Sequence, residues 1–198
     1  MQSSYSAGKS PLKATPRGRR AFWWIFLAFA MPVVAAWLLY LTRDHWQFPQ
    51  TNHGILIQPP RPLAPFESQT LDGKPLTLED LKGYWILVYI GPPQCPEPCQ
   101  RDLYKMRQVR LALGEDMRRV KRLFLVRGEG PVPVLAQHPG LIAAKASPDI
   151  LQAFPEPGSH RIYLIDPLGN LFMYYPPDTD PKGMLKDLKR LLKLSRIG

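Results

Sequence analysis

The chain has 198 residues, 26 Lys and Arg against 16 Asp and Glu, a formal net charge of +10 at pH 7, and only 2 cysteines. That length holds one domain of about 100 to 150 residues plus an appendage, and two cysteines with no further cysteine and no histidine nearby in the sequence leave no closed structural zinc site. Lys9, Lys13, Arg17, Arg19 and Arg20 carry half of the net charge within the first twenty residues, so the remainder is only mildly basic and nucleic acid is not among the expected partners.

The first element is an apolar run. Residues 21–41, AFWWIFLAFAMPVVAAWLLYL, contain no charge; at ~1.5 Å per residue they extend about 30 Å as a helix, enough for one bilayer crossing. Pro32 is the only helix breaker, and membrane helices tolerate one. A basic tail over 1–20 before the run places the N-terminus in the cytoplasm by the positive-inside rule and the rest of the chain on the far side. Ala28-Phe29-Ala30 also has the form of a signal-peptide cleavage site, a competing reading that leaves the later residues on the same side.

Residues 42–65 carry Pro49, Pro59, Pro60, Pro62 and Pro65 with little periodicity and read as a semi-extended spacer, with His53 as a turn residue. The folded domain is expected over 66–198. Phe66–Leu71 and Lys74–Thr77 flank Asp72-Gly73, a hairpin with a type I′-like turn. Tyr84–Ile90 reads as a buried strand, and the helix after it carries Leu103, Met106, Val109 and Leu113 on one face up to Gly114 as its C-cap, with Met106 as core packing. Residues 122–127 form the next strand, and the basic stretch Arg118-Arg119-Val120-Lys121-Arg122 reads as solvated surface. Residues 129–140 read as a Pro-containing loop in which His138 is a turn residue. Ser147-Pro148 opens a short helix to about Phe154. Arg161–Ile165 and Leu171–Tyr175 form a second hairpin, and Thr179-Asp180-Pro181 starts a basic amphipathic helix.

Between the first buried strand and its helix lies Gly91-Pro92-Pro93-Gln94-Cys95-Pro96-Glu97-Pro98-Cys99. Cys95 and Cys99, four apart, bring two soft sulfur ligands to one point. At a strand-to-helix junction, backbone amides and the helix dipole lower a thiol's pKa, favouring the thiolate that acts as nucleophile or metal ligand. A plain structural disulfide is the bland alternative, but so short a ring restricts the unfolded chain little.

The order hairpin, β, α, β, α, β, β, α, with cysteines after the first central strand, resembles the thioredoxin superfamily: an α/β fold with a central sheet flanked by helices, here preceded by a single transmembrane helix. More narrowly, Gly91, Cys95, Pro96 and Cys99, together with Tyr163-Leu164-Ile165-Asp166-Pro167-Leu168-Gly169, resemble the Sco/SenC group of membrane-anchored copper proteins used in cytochrome c oxidase assembly. The resemblance implies a copper site, Cu(I) and also Cu(II), on Cys95, Cys99 and a histidine ahead of the Tyr-Leu-Ile-Asp stretch. His160 is the candidate, two residues nearer the strand than the family pattern, a shift that keeps the same strand face. It also implies a client that is a membrane-embedded oxidase subunit or another copper-site protein. The implied location is single-pass in an inner membrane, with the domain in the periplasm, or in the intermembrane space if mitochondrial. After the strand at 122–127 the chain departs from the family, with Arg127-Gly128-Glu129-Gly130-Pro131-Val132-Pro133 in place of an Asp-Pro-x-x-Asp-Thr-like stretch.

Three functions fit these residues: a copper metallochaperone, a thiol-disulfide oxidoreductase that keeps client cysteines reduced with Cys95 and Cys99 as its catalytic pair, and a non-catalytic assembly factor. Two thiolates suit Cu(I), and an added imidazole also permits Cu(II).

Overall fold

The computed structural model describes residues 16–42 and 52–195; the tail before residue 16 and the first part of the expected spacer lie outside them. The chain divides into two compact units, residues 1–50 and 51–198. In the first, helix α1 (Pro16–Leu41) continues through Pro32, and its Arg20–Leu41 stretch is long and apolar enough, by length and composition, to cross a membrane. The apolar side chains of α1 are exposed, Trp24 at 75% and Phe29 at 76%.

In the second unit the strands are β1 (Ile55–Pro62), β2 (Glu67–Gln69), β3 (Pro75–Thr77), β4 (Trp85–Gly91), β5 (Val120–Val126), β6 (Leu141–Lys145), β7 (Ile162–Ile165) and β8 (Asn170–Tyr175). The helices are α2 (Glu97–Leu111), α3 (Pro148–Gln152) and α4 (Pro181–Leu194). Six strands form one sheet in the order β1-β8-β7-β4-β5-β6. β4, β5 and β6 run parallel, and β7, β8 and β1 are each antiparallel to their neighbours. This is the thioredoxin-like α/β sheet with flanking helices expected from the sequence.

β4 lies at the centre because every one of its residues is buried, as a strand covered on both faces requires. Alternation sends Trp85, Leu87 and Tyr89 into one cluster with Leu103 and Met106 of α2 and Leu188 of α4. It sends Ile86, Val88 and Ile90 into another with Ile150 of α3 and Leu76 of the hairpin. Met106 is core, as its place in the helical stripe implies.

Several expectations are corrected. The spacer does not extend to residue 65, because Ile55–Pro62 is a strand paired with β8. Its prolines are tolerated because β1 is an edge strand whose register shifts between Leu56 and Arg61, the setting in which missing N–H donors do least harm. His53 is tied to α4: Asp187 accepts hydrogen bonds from the backbone N–H of His53 (2.8 Å) and Gly54 (3.0 Å) and lies 3.1 Å from the His53 ring. A Cβ at Gly183 would come within 2.6 Å of that ring, so the close approach requires glycine there.

β6 adds a strand that the sequence does not signal, since Leu-Ile-Ala-Ala-Lys is short and two of its five residues are alanine, with weak strand propensity. Its free edge is covered by the β2–β3 hairpin, where Leu71 N–H donates to Ala143 O (2.9 Å) and Ser68 Oγ to Lys145 O (2.7 Å). The hairpin turn has positive φ at Gly73 (+87°) but not at Asp72, so it is not type I′; a Thr70–Gly73 turn closes it, with Gly73 N–H donating to Thr70 O. Helix α2 begins at Glu97, ahead of the start near Gln100 that the sequence predicts, and ends earlier than expected, with Ala112 as its C-cap in place of Gly114. Ser147 caps α3 as expected, accepting from Ile150 N–H.

His138 opens a turn as expected, its O accepting from Leu141 N–H (3.1 Å), with only 5% of the residue exposed. The reading of the basic stretch changes: Arg122 is 2% exposed, so it does not belong to a solvated surface. Arg119 turns inward as well, donating to Leu192 O (3.0 Å) and Ser195 O (2.7 Å).

Candidate thiol and metal site

The site starts where β4 ends. At Gly91 a Cβ would meet the Tyr89 ring at 2.9 Å, so the chain leaves the strand over that ring only because residue 91 has no side chain. A turn follows in which Cys95 N–H donates to Pro92 O (3.1 Å), and Cys95 itself has φ +44°. That is the left-handed region, which costs a non-glycine residue about 1–2 kcal/mol. Pro96 is the N-cap of α2 with extended ψ. Glu97, Pro98 and Cys99 therefore occupy the first turn, where the helix dipole favours a thiolate. The Gln100 side-chain amide reaches back to Cys95 O (3.1 Å) and braces the turn.

Cys95 and Cys99 are joined as a disulfide with their Cα atoms 5.1 Å apart. Both are fully buried, in the cluster that holds Tyr89, Leu103, Phe124 and Val126. Glu97 is exposed and Pro98 half-buried, so the acid of the motif faces water.

His160 stands just ahead of β7, half-buried, with φ +55°. Its Nδ1 lies 2.8 Å from the Tyr89 hydroxyl, which leaves Nε2 as its other ring nitrogen. Backbone strain at non-glycine residues gathers at functional positions; among the described residues it falls on Cys95 and His160, and also on Glu156 and Asp178. Burial pushes the Tyr89 phenol far above its ordinary pKa, and the nearby Asp102 charge pushes it the same way. Tyr89 therefore stays a neutral phenol. A metal on Nε2 would require the tautomer in which Nδ1–H donates to the Tyr89 oxygen, the arrangement by which outer groups fix a ligating imidazole.

Asp102, three residues after Cys99, is 3% exposed and lies 3.3 Å from the ammonium of Lys105, itself buried. Burial pushes its carboxyl pKa up, while the Lys105 charge and hydrogen bond, then His160 and Arg101, pull it back. A carboxylate held near the imidazole and the phenol is a local source of negative charge beside the cysteine loop.

The segment that departs from the Sco/SenC pattern supports the same site from the other side. Arg127 N–H donates to Gly91 O (2.8 Å), and its guanidinium donates to Pro157 O (3.1 Å) in the loop that ends at His160. Pro93 is buried beside Gly128 and Gly130 of the same segment.

Cys95 and Cys99 are thus brought into covalent contact, and His160 is linked to their cluster through Tyr89. In this oxidised form no group of three His, Cys, Asp or Glu side chains among the described residues stands in metal-holding geometry, so His160 and the two sulfurs are not assembled as a ligand set here. Sequence reasoning missed Tyr89, Asp102, Lys105 and Arg127. For the first three the signal was position: Tyr89 is inward on β4, and Asp102 and Lys105 follow Cys99 at helical spacing on a largely apolar face. Arg127 carried no such signal.

Comparisons place the chain among known folds. Residues 85–195, more than half of the chain, match the family model described as transmembrane-like, thioredoxin-like, C-terminal domain. A mouse protein, the mitochondrial SCO1 homolog, is 41% identical over 46 residues, 23% of this chain, and the chain spans only about 16% of that relative's length. Among solved structures, Bradyrhizobium japonicum ScoI with copper bound superposes with a TM-score of 0.55 and 23% identity, covering 65% of this chain and 98% of that one. Yeast Sco1 with copper bound gives a TM-score of 0.58 and 19% identity, covering 69% and 91%. These likenesses establish the thioredoxin-like fold, and with the family match they show that the chain belongs to the transmembrane-like, thioredoxin-like C-terminal domain family.

Proposed function

We propose that this chain is a membrane-anchored copper-binding thiol protein that assists copper delivery in cytochrome c oxidase assembly, with Cys95, Cys99 and His160 as its metal ligands. The observation that carries the reading is a buried cysteine pair that brackets the N-cap of α2, with a histidine bound through its Nδ1 to Tyr89 of the same cluster. The likeness to copper-bound Sco structures supports it. Two sulfurs and one imidazole are a donor set suited to Cu(I), and the imidazole also admits Cu(II).

Copper is the cargo. The Cys95–Cys99 bond must first be broken by a dithiol donor, which gives up two electrons and two protons and becomes a disulfide while both cysteines become thiols. Loading then releases one proton from each thiol as its sulfur binds the metal. Delivery proceeds by exchange, each incoming client thiolate displacing one cysteine sulfur, which recovers a proton. Pro96 and Pro98 fix φ around the ring and limit the freedom lost when the sulfurs take up the metal. Reoxidation of the pair by an incoming disulfide, which takes up the two electrons and two protons and becomes a dithiol, ends binding.

The basic tail and the span over Arg20–Leu41 support an N-terminus in the cytoplasm and the thioredoxin-like unit in the periplasm, or the intermembrane space if mitochondrial. The client is a membrane-embedded oxidase subunit or another copper-site protein. A second reading, a thiol-disulfide oxidoreductase, is favoured by the disulfide itself.

The test is an anaerobic Cu(I) titration of the reduced full chain in neutral detergent against a competing chelator. One-to-one binding is expected, abolished in Cys95→Ser and Cys99→Ser. Binding should weaken by at least about tenfold in His160→Ala and in His160→Asn, the latter tolerating the left-handed backbone. Absence of specific binding in the reduced wild type, with thiol exchange intact, would move the assignment to the oxidoreductase.

A further inference from the structure

A second cluster of charge lies along α2, and the chemistry of the cysteine site does not use it. Arg122 projects from β5 on the same face as Val120, Phe124 and Val126, and its guanidinium is enclosed: only Nη2 has a partner, Pro139 O at 2.7 Å, while Nε and Nη1 have none. Around it stand Arg107 and Arg110 of α2 and the imidazole of His138, whose Nδ1 is likewise buried without a partner. Arg110 donates to Val120 O at 2.6 Å and Arg107 to Gln137 O at 3.5 Å. All three arginines thus bond to backbone carbonyls, and among the described residues none of them has a carboxylate within ion-pair distance.

Burying a cation beside other cations is unfavourable twice over, through lost hydration and through repulsion. Burial, then the charges of Arg110 and Arg107, drive the Arg122 pKa down from 12.5 to about 10. Burial, then Arg122 and Arg107, drive that of His138 below 6.5. Elsewhere in the same domain buried charge is matched, as in Asp102 with Lys105. Next to the unmatched cluster the surface opens into a groove of about 470 Å³ lined by Arg101, Tyr104, Arg107 and His138, with Glu97 and Gln100 at the end near the cysteine loop. Glu97 is the one acid of that lining, and it is exposed.

We propose that this groove is an oxyanion-binding site, in which Arg107 and the edge of His138 contact a phosphate or carboxylate group and Arg122 supplies positive charge from beneath. An oxyanion accepts several charge-assisted hydrogen bonds at once and removes the repulsion among the three guanidinium groups. The site is independent of whether the cysteines hold copper. The same chemistry is offered by a free small anion and by an acidic side chain of a docked protein, and binding tests separate the two.

The experiment titrates inorganic phosphate into the full, disulfide-bonded chain in neutral detergent at low ionic strength, with heat as the readout. Saturable one-to-one binding is expected. Arg107→Gln, a change at the half-buried rim, should weaken it by about tenfold while leaving the thermal midpoint in phosphate-free buffer unchanged. Lys189→Gln, at an exposed position of α4, should leave binding as in wild type. In a second arm a glutamate-containing peptide is titrated with and without phosphate: binding tighter than that of phosphate and displaced by it identifies a protein acid as the source, and binding no tighter than phosphate identifies a free anion. No binding of either probe, an equal response in wild type and Arg107→Gln, or an equal loss in Lys189→Gln overturns the proposal.

Discussion

Asp102 and Arg122 are both almost completely enclosed, at 3% and 2% exposure, yet they are held on opposite plans. Asp102 sits beside its own counter-ion, one helical turn away on α2. Arg122 has two more arginines for neighbours and a single backbone carbonyl for a partner. The first arrangement completes itself within the fold and holds a negative charge beside Tyr89, His160 and the cysteine loop. The second is completed only from outside. A buried charge with an internal partner marks structure that shapes a site, and one without marks where a ligand belongs.

The largest expected effect tests the first half of that contrast. Asp102→Ala leaves the Lys105 ammonium buried and unpaired, and removing one partner of a buried ion pair destabilises by about 3–5 kcal/mol. Urea unfolding of the full chain in detergent should show the midpoint fall accordingly. A loss under about 1 kcal/mol would mean that Lys105 reaches water when released, and Asp102 would then be no more than a surface acid.

A smaller effect, and a different one, is expected at Arg122. Arg122→Met substitutes an apolar chain of similar reach for a cation that has no counter-ion. Relief from burying that charge opposes the loss of one hydrogen bond to Pro139 O, worth about 1 kcal/mol. In phosphate-free buffer the variant should lie within about 1 kcal/mol of wild type. In phosphate the wild type should gain stability through binding and the variant should not. If Arg122→Met costs as much as Asp102→Ala, then Arg122 is satisfied within the fold and the contrast fails.

The two clusters were unequally legible in the sequence. Strand β4, the cysteine loop, α2, the β7–β8 hairpin and α4 all announce themselves through periodicity, caps or turn residues, because each is bounded at one end by a proline or glycine. Cys95 and Cys99 stand out for the same local reason, two sulfurs at the mouth of a helix. What remained hidden depends on long-range pairing. β1 reads as a spacer because its three prolines suit an edge strand, and β6 goes unread because alanine says little about strand or helix. Arg122 reads as surface because it ends a basic run, and only the parallel pairing of β4 with β5 turns its side chain under α2. The Asp102–Lys105 pair and the Tyr89–His160 contact require knowing which residues face inward at once on two elements, which no single stretch of sequence states.

The smallest expected effect is a pair of opposite pH slopes. His138, faced by Arg122 and Arg107, has its pKa lowered from 6.5 by burial first and by those charges second. The unfolded chain therefore binds a proton there before the folded one does, so stability is retained above pH 6.5 and declines as pH falls through the lowered value. Asp102 has its pKa raised from 3.8, chiefly by burial; the folded state holds that proton more tightly, so its contribution is present below pH 3.8 and is lost as pH rises through the raised value. One proton contributes at most about 1.4 kcal/mol per pH unit. His138→Gln should flatten the decline below pH 6.5 and leave the acid limb alone, while Asp102→Asn should change the acid limb and leave the neutral one. The two slopes are separable because the groups titrate in different windows, and each variant moving the other's limb would mean that the clusters beside α2 share their protons and are one site.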